Sequence, residues 1–345
     1  MMIIWLVALA AMILYRARIV SFHDGFLERD ATESVKGIFI FIVLLSHARG
    51  YVLQGDGALD LLYASFFEHI GQLMVAMFLC YSGYGCYESF KKKENYLDGF
   101  LKKRVLKTLF NFDTALLLYV AVNLAFQIHF PVKSYLLCWI GWEDIGNSNW
   151  YIFAILVLYC TAWIGFTLEK KTGAALSIPV VSILSAAYIC FMHGAGKESW
   201  WYDTALCFPF GMMVSRFKDL LCRRIARPAE GLAWLAAALV AFLAAYLTGG
   251  VVYFICTCLF CLVILLVTAR IRIVNEPLVW MGRHLFEIYI LQRIPMIILS
   301  QLSVREPMLF TALSIAGTMA LAAVFHRLIL PLNAMVFSQG NSKRA

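Results

Sequence analysis

A chain of 345 residues in which 62% are hydrophobic and only 14% charged, with a mean hydropathy of +0.78, has more apolar surface than one water-soluble core can bury. This composition excludes a soluble globular protein and predicts a chain that crosses a membrane many times. The formal net charge of +8 is explained by basic loops at lipid headgroups. Membrane lipids are therefore expected partners, and nucleic acid is not.

Apolar windows that can cross a bilayer follow one another along the chain. They predict an all-α fold, a polytopic transmembrane helical bundle with about 10–11 membrane-spanning helices. The windows lie at about residues 2–15, 34–53, 66–90, 106–130, 148–168, 174–192, 200–216, 230–247, 250–270, 277–300 and 308–332.

Lysine and arginine gather in alternate loops, which supports this division into helices independently. By the positive-inside rule the basic side is cytoplasmic, so we expect the N-terminus outside and the C-terminus in the cytoplasm. The basic loops carry Arg16, Arg18, Arg29, Lys91–Lys93, Lys102–Arg104, Lys107, Lys170, Lys171, the Arg216–Arg227 cluster, Arg270, Arg272, Lys343 and Arg344, and the opposite loops carry only Arg49, Lys133, Lys197 and Arg305.

The two ends of the chain are interpreted as small additions to one membrane domain. No basic residue precedes the first apolar window, whereas Arg16 and Arg18 follow it, a pattern that favours a retained reverse anchor over a cleaved signal peptide. Residues 1–30 are therefore predicted to be an N-terminal reverse-anchor helix with a cytoplasmic linker. Residues 336–345 are predicted to be a short cytoplasmic tail.

Lys36 and His47 lie eleven positions apart in the second window. Eleven residues turn roughly 1100°, about 20° past three full turns, so both side chains share one helix face. They rise about 16 Å, half of a hydrocarbon core, which excludes a touching dyad. Ionisable groups at membrane depth are costly and usually serve binding or proton transfer. A snorkelling lysine with an incidental histidine is the simpler alternative.

Other polar residues in the windows have both a functional and a structural interpretation. Glu68, at the outer start of the third predicted helix, could orient His47, bind a sugar or cap the helix at the interface. Ser82 could hydrogen-bond a carbonyl, although close helix packing is favoured. Arg283 and Glu287 stand at i,i+4 and are expected to pair within their helix, and Arg293 with a neighbour.

The cysteines give no strong metal signal. Cys256, Cys258 and Cys261 lie inside one apolar window with no histidine or acid nearby, so packing is favoured over metal binding. We therefore predict no metal site and no bound cofactor.

Several stretches in order resemble the integral-membrane acyltransferase 3 family, whose members transfer acyl groups onto hydroxylated acceptors at bacterial surfaces. The similarity implies an acyltransferase 3-like membrane domain over residues 31–335. The size and helix layout of this chain also resemble the branch of that family associated with fucose 4-O-acetylation. The stretches are Lys36-x10-His47, Phe78–Tyr84 with its Ser-Gly pair, Phe100–Lys107, Asn149–Ile152 and Met281–Gln292.

The resemblance implies an O-acetyltransferase of polysaccharides in the bacterial cytoplasmic (inner) membrane. It would move an acyl group, expected to be acetyl, from cytoplasmic acyl-CoA to a hydroxyl of a cell-surface or lipid-linked sugar. Acetyl-CoA would be a co-substrate. The expected catalytic residues are His47 as general base, Lys36 and Glu68. The expected donor-binding residues are Lys36, Arg104 and Lys107. The expected substrate-binding or orienting residues are Ser82, Trp150, Tyr289 and Gln292.

The sequence is compatible with more than one role for some of these residues and with more than one function. Gln292 stands where many family members have histidine, and since an amide cannot shuttle a proton, we expect it at most to orient substrate. Direct transfer and a transient acyl-histidine are both compatible with His47. A polytopic transporter or a glycan polymerase handling lipid-linked saccharides is the alternative function, although we find neither broken helices in two matching halves nor a large outer loop.

Overall fold

The computed structural model describes residues 2–53 and 55–337. Most of this part of the chain is helical, and its strands are one two-residue antiparallel pair, β1 (Arg18–Ile19) with β2 (Ile271–Arg272). The helices are α1 Ile4–Leu14, α2 Arg29–Arg49, α3 Ala58–Ile70, α4 Leu73–Lys92, α5 Lys107–Ala125, α6 Val132–Leu137, α7 Trp150–Thr172, α8 Ser177–Gly194, α9 Cys207–Arg216, α10 Lys218–Ile225, α11 Pro228–Thr248, α12 Tyr253–Thr268, α13 Glu276–Arg283, α14 Leu285–Leu291, α15 Arg293–Gln301 and α16 Pro307–Phe337.

Eight helical segments of the described chain are long and apolar enough to cross a membrane. They confirm the predicted all-α polytopic bundle. The remaining predicted windows form shorter helices. The window at 277–300 is divided into α13, α14 and α15. Proline lacks the N–H that would bond to the residue four positions earlier, so Pro295 removes the bond to Leu291 and separates α14 from α15.

The third predicted helix is also divided, because Gly71 adopts φ +40° between α3 and α4. Glycine adopts this conformation without the penalty that a Cβ would bring. Glu68 therefore lies near the end of α3, and not at the start of the helix that contains Ser82.

One end of the bundle collects basic loops that are far apart in sequence. Arg270 donates to the Ile225 carbonyl oxygen at 2.6 Å, and Lys170 donates to that of Glu94 at 3.2 Å. The β1–β2 pair lies beside Arg270, since Val20 donates its N–H to the Arg270 carbonyl. We call this end the basic face and the other end, which holds Arg49 and Lys197, the opposite face.

Glycines allow two pairs of helices to approach closely. A Cβ on Gly83 of α4 would overlap the Phe208 carbonyl of α9, and a Cβ on Gly211 of α9 would overlap that of Cys80. Gly37 of α2 and Gly282 of α13 form a similar reciprocal pair. Small residues let membrane helices pack backbone to backbone. This packing fixes α13 against α2, on which Lys36 and His47 lie.

The structure near the two chain ends can be compared with the predicted anchor at residues 1–30 and the predicted tail at residues 336–345. Helix α1 has 11 residues, about 16 Å, roughly half the thickness of a hydrocarbon core. The chain just before it is attached to the bundle by the Met2 N–H, which donates to an Asp60 carboxylate oxygen at 2.8 Å. The reverse anchor at 1–30 stays a prediction. Helix α16 extends to Phe337, and the rest of the predicted tail at 336–345 lies outside the described residues.

Candidate active site

Helix α2 carries both Lys36 and His47 in one unbroken run of 21 residues. Most of its positions between these two side chains are buried, whereas Lys36 and His47 themselves are partly exposed. Lys36 lies toward the basic face, and His47 lies within the last turn of the helix, toward the opposite face. A rigid helix thus holds one amine and one imidazole at different depths.

His47 is hydrogen-bonded to an arginine from the far end of the sequence. The Arg293 Nη2 atom lies 3.1 Å from His47 Nδ1, although 246 residues separate the two. Arg293 was expected to pair with a neighbour and was not predicted as a site residue. The available signal was its charge within a predicted membrane window directly after Gln292, because charged groups there are rare and usually functional.

Three predicted orienting residues lie in the same part of the bundle as Arg293. Tyr289 stands one helical turn before it and packs edge to face against Tyr151, with ring centroids 5.2 Å apart. Trp150 in turn packs against Tyr151, at 6.0 Å. Gln292 is fully buried, donates to the Tyr289 carbonyl oxygen at 3.2 Å, and leaves its own Oε1 without a partner among the described residues.

A cavity of about 640 Å³ opens near the basic face beside Lys36. It brings together three residues that lie in separate sequence motifs and were predicted as site residues, Lys36, Ser82 and Arg104. Lys107, also expected to bind the donor, is not part of its lining. The cavity wall carries both signs of charge, since the basic groups face Glu33 and Glu88.

The two acids of this cavity, Glu33 and Glu88, differ in how closely they are ion-paired. Lys36 Nζ lies 3.6 Å from Glu33 Oε1, too long for a strong hydrogen bond. Glu88 is held by Lys91 at 2.6 Å and by Lys92 at 3.1 Å. Glu88 is therefore neutralised by Lys91 and Lys92, which do not line the cavity.

Ser82 lies between this cavity and the packed side chains of Trp150, Tyr151 and Tyr289. Its hydroxyl lies beside the side chains of Tyr151 and Tyr159, and the Arg104 guanidinium lies 5.7 Å from the Tyr159 ring centroid. The predicted packing role belongs to Gly83, the next residue, which contacts α9. Ser82 itself lines the cavity. Polar side chains therefore extend from the basic-face cavity toward Arg293 and His47.

A second cavity, of about 500 Å³, opens at the opposite face near the other end of α2. Ser46 and Arg49 of α2 line it together with Asp56 and Asp60. Glu68 pairs with Arg49 at 3.5 Å and its side chain is 65% exposed. The structure thus places Glu68 against Arg49 instead of His47, so the predicted orienting contact is not formed.

The expected pair of Arg283 with Glu287 is wrong. Arg283 reaches Asp30 at the start of α2, at 2.9 Å, and Glu287 pairs with His326 of α16, at 2.6 Å. The helix breaks at His284 between α13 and α14, so the two residues no longer share one regular helix face. Both pairs instead attach the broken segment to its neighbours.

One comparison with known proteins identifies the family of the chain. A family model of the acyltransferase 3 type, described as an acyltransferase domain, matches residues 30–327. No curated protein and no solved structure matches the chain. The match spans α2 to α16 and includes Lys36, His47 and Arg293. The chain therefore belongs to the acyltransferase 3 family and is a multi-pass membrane acyltransferase.

Proposed function

We propose that this protein is an O-acyltransferase that moves an acetyl group from cytoplasmic acetyl-CoA to a hydroxyl of a cell-surface or lipid-linked sugar. One observation carries the proposal. Two cavities lie at the two ends of α2, one lined by Lys36 and the other by Ser46, the neighbour of His47. A family enzyme with this layout can take its two substrates from opposite sides of a membrane.

The basic-face cavity is the proposed donor site. The positive-inside rule makes this face cytoplasmic, in keeping with a bacterial inner membrane. Lys36 and Arg104 would bind the phosphates of the donor, since Lys and Arg are the usual phosphate partners. The pantetheine arm would then pass Ser82 and Tyr151 toward His47. This path is short, because the eleven residues from Lys36 to His47 rise only about 16 Å along α2.

The opposite-face cavity is the proposed acceptor site. Sugars present many hydroxyl groups, which donate to carboxylates and accept from guanidinium groups. Asp56, Asp60 and Arg49 supply both kinds of partner. An acceptor held there would direct one hydroxyl inward, past Ser46, to His47. A fucose-containing acceptor is compatible with this chemistry.

At His47 the reaction would proceed by direct transfer. The neutral imidazole takes the hydroxyl proton as the oxygen attacks the thioester carbonyl carbon. The carbon–sulfur bond then breaks, and the departing thiolate takes the proton from the imidazolium to give the free thiol. Atoms and charges balance without a metal or a bound cofactor.

Radiolabelled acetyl transfer tests this proposal. Membranes containing the protein are incubated with acetyl-labelled acetyl-CoA, and label in the lipid-linked and surface glycans is compared with that in membranes lacking the protein. Protein-dependent label that mild base releases as acetate would support O-acetylation. Absence of such label, with folded protein verified in the same membranes, would reject the proposal for acetyl-CoA as donor.

Lys36→Met is expected to raise KM for acetyl-CoA by about 10- to 100-fold, because a hydrogen bond to a charged group contributes about 1.5–3 kcal/mol. Arg104→Met should have a similar effect. Lys103→Met is the matched control, since Lys103 is exposed and does not line the cavity, and its KM should stay within about twofold. KM is measured from initial rates across a donor series. An unchanged KM for both cavity variants would remove this donor site.

A further inference from the structure

The hydrogen bond between Arg293 and His47 determines which ring nitrogen carries a proton. A guanidinium group has five N–H donors and no acceptor, so Nδ1 of His47 must accept the 3.1 Å bond from Nη2. A neutral imidazole has one N–H and one acceptor nitrogen. His47 therefore carries its proton on Nε2 in this state, and Nδ1 is the nitrogen with a free electron pair.

This tautomer has a consequence for a general base. A base accepts a proton at the nitrogen with the lone pair, and here that nitrogen is Nδ1. Arg293 already occupies it. Nε2, the other ring nitrogen, is a donor and cannot take a second proton. His47 is thus capped at its only basic atom for as long as Arg293 stays in place.

The two side chains of the cap are accessible, and one donor of Arg293 is unpaired in the described part of the chain. Both side chains are partly exposed, in contrast to the fully buried Gln292 next to Arg293. The Nε–H of Arg293 is buried and has no hydrogen-bond partner among the described residues. A buried donor of this kind costs free energy unless a ligand or water pairs with it. Arg293 therefore has a spare donor beside the one it gives to His47.

We propose that Arg293 is a positioning residue that caps Nδ1 of His47 until an acceptor hydroxyl inserts between them. This inference rests on the proposed role of His47 as base. A hydroxyl fits because it accepts from the guanidinium through its oxygen and donates to Nδ1 through its hydrogen. A thioester carbonyl can satisfy only the guanidinium. The Arg293–His47 pair thus selects a hydroxyl and aligns its proton with the base.

The inference is tested by the reactivity of His47 toward diethyl pyrocarbonate, which acylates the unprotonated ring nitrogen and requires no enzyme turnover. The rate at each histidine is followed by peptide mass spectrometry in the full-length protein at pH 7. In Arg293→Met, which removes every donor at similar side-chain length, we expect the His47 rate to rise at least tenfold over the natural protein. Arg293→Lys retains the charge and one donor position and should give a smaller rise. His129, which is exposed, provides the internal reference and should react equally in all three proteins.

Equal His47 rates in the natural protein and in Arg293→Met would overturn the cap. The outcome is distinguishable from failure of the proposed function. If no acetyl transfer is found but the His47 rate rises, the cap stands and the donor or acceptor was wrong. If transfer depends on His47 but the rate does not change, only the cap is lost. Should Arg293→Met not fold, Arg293→Gln, which keeps an amide donor, gives the same comparison with a smaller expected rise.

Discussion

His47→Ala is expected to lower the rate of acetyl transfer by about 10²- to 10⁴-fold, the range that general acid–base catalysis contributes. The histidine is the proposed base, and the variant leaves no other imidazole at the end of α2. The amount of folded protein should be unchanged, because alanine is tolerated within a helix. Initial rates are measured with labelled acetyl-CoA at equal amounts of protein, and folding is followed by size-exclusion chromatography in detergent.

His69→Ala is the matched control for this variant. His69 also stands in the last turn of its helix, α3, but its Nδ1 atom contacts the Ser65 carbonyl oxygen of the same helix at 2.7 Å. Its rate should remain within about twofold of the natural protein. A comparable loss of rate in both variants, or loss of folded protein in His47→Ala, would indicate a structural role. A retained rate in His47→Ala would exclude this histidine as the base.

Much of the bundle could be predicted from the sequence because membrane helices are set by local properties. The length and hydropathy of each window predict a membrane-spanning helix, and the charge of the loops tests how many such helices there are. The breaks were less predictable. The window at 277–300 has enough apolar residues for one helix, yet Pro295 and the bend at His284 divide it. The crossing of α13 over α2 depends on Gly37 meeting the Leu278 backbone and on Gly282 meeting the Glu33 backbone.

In the candidate site too, local features could be predicted from the sequence, whereas contacts between distant segments could not. Lys36 and His47 could be predicted because both lie on one helix, where spacing alone fixes their relation. Arg293 could not be assigned to His47, because no local pattern relates residues 246 positions apart. Glu68 was placed too close to His47 for a similar reason, since the turn at Gly71 redirects its helix toward Arg49. Pairing across the bundle requires the fold.

Gly83→Val is expected to cause a large loss of stability. The first atom of any side chain at this position would overlap the Phe208 carbonyl oxygen, and neither backbone can yield without separating α4 from α9. Overpacking a rigid contact costs about 1–3 kcal/mol or more, and here Gly211 and Cys80 would be moved as well. We expect little folded protein from Gly83→Val and a clearly lowered midpoint of thermal unfolding for Gly83→Ala, measured by temperature-dependent size-exclusion chromatography.

Gly85→Ala controls for the change of residue type on the same helix. A Cβ on Gly85 would meet nothing within 4 Å, and replacing glycine by alanine inside a helix stabilises it by roughly 0.5–1 kcal/mol. The two alanine variants, only two positions apart, should therefore shift the midpoint in opposite directions. Since Ser82 precedes Gly83, separation of α4 from α9 would also displace the Ser82 hydroxyl from Tyr151 and Tyr159. An unchanged midpoint for Gly83→Ala would mean that the two helices are not in backbone contact, and the link from the basic-face cavity to His47 would then lose its support.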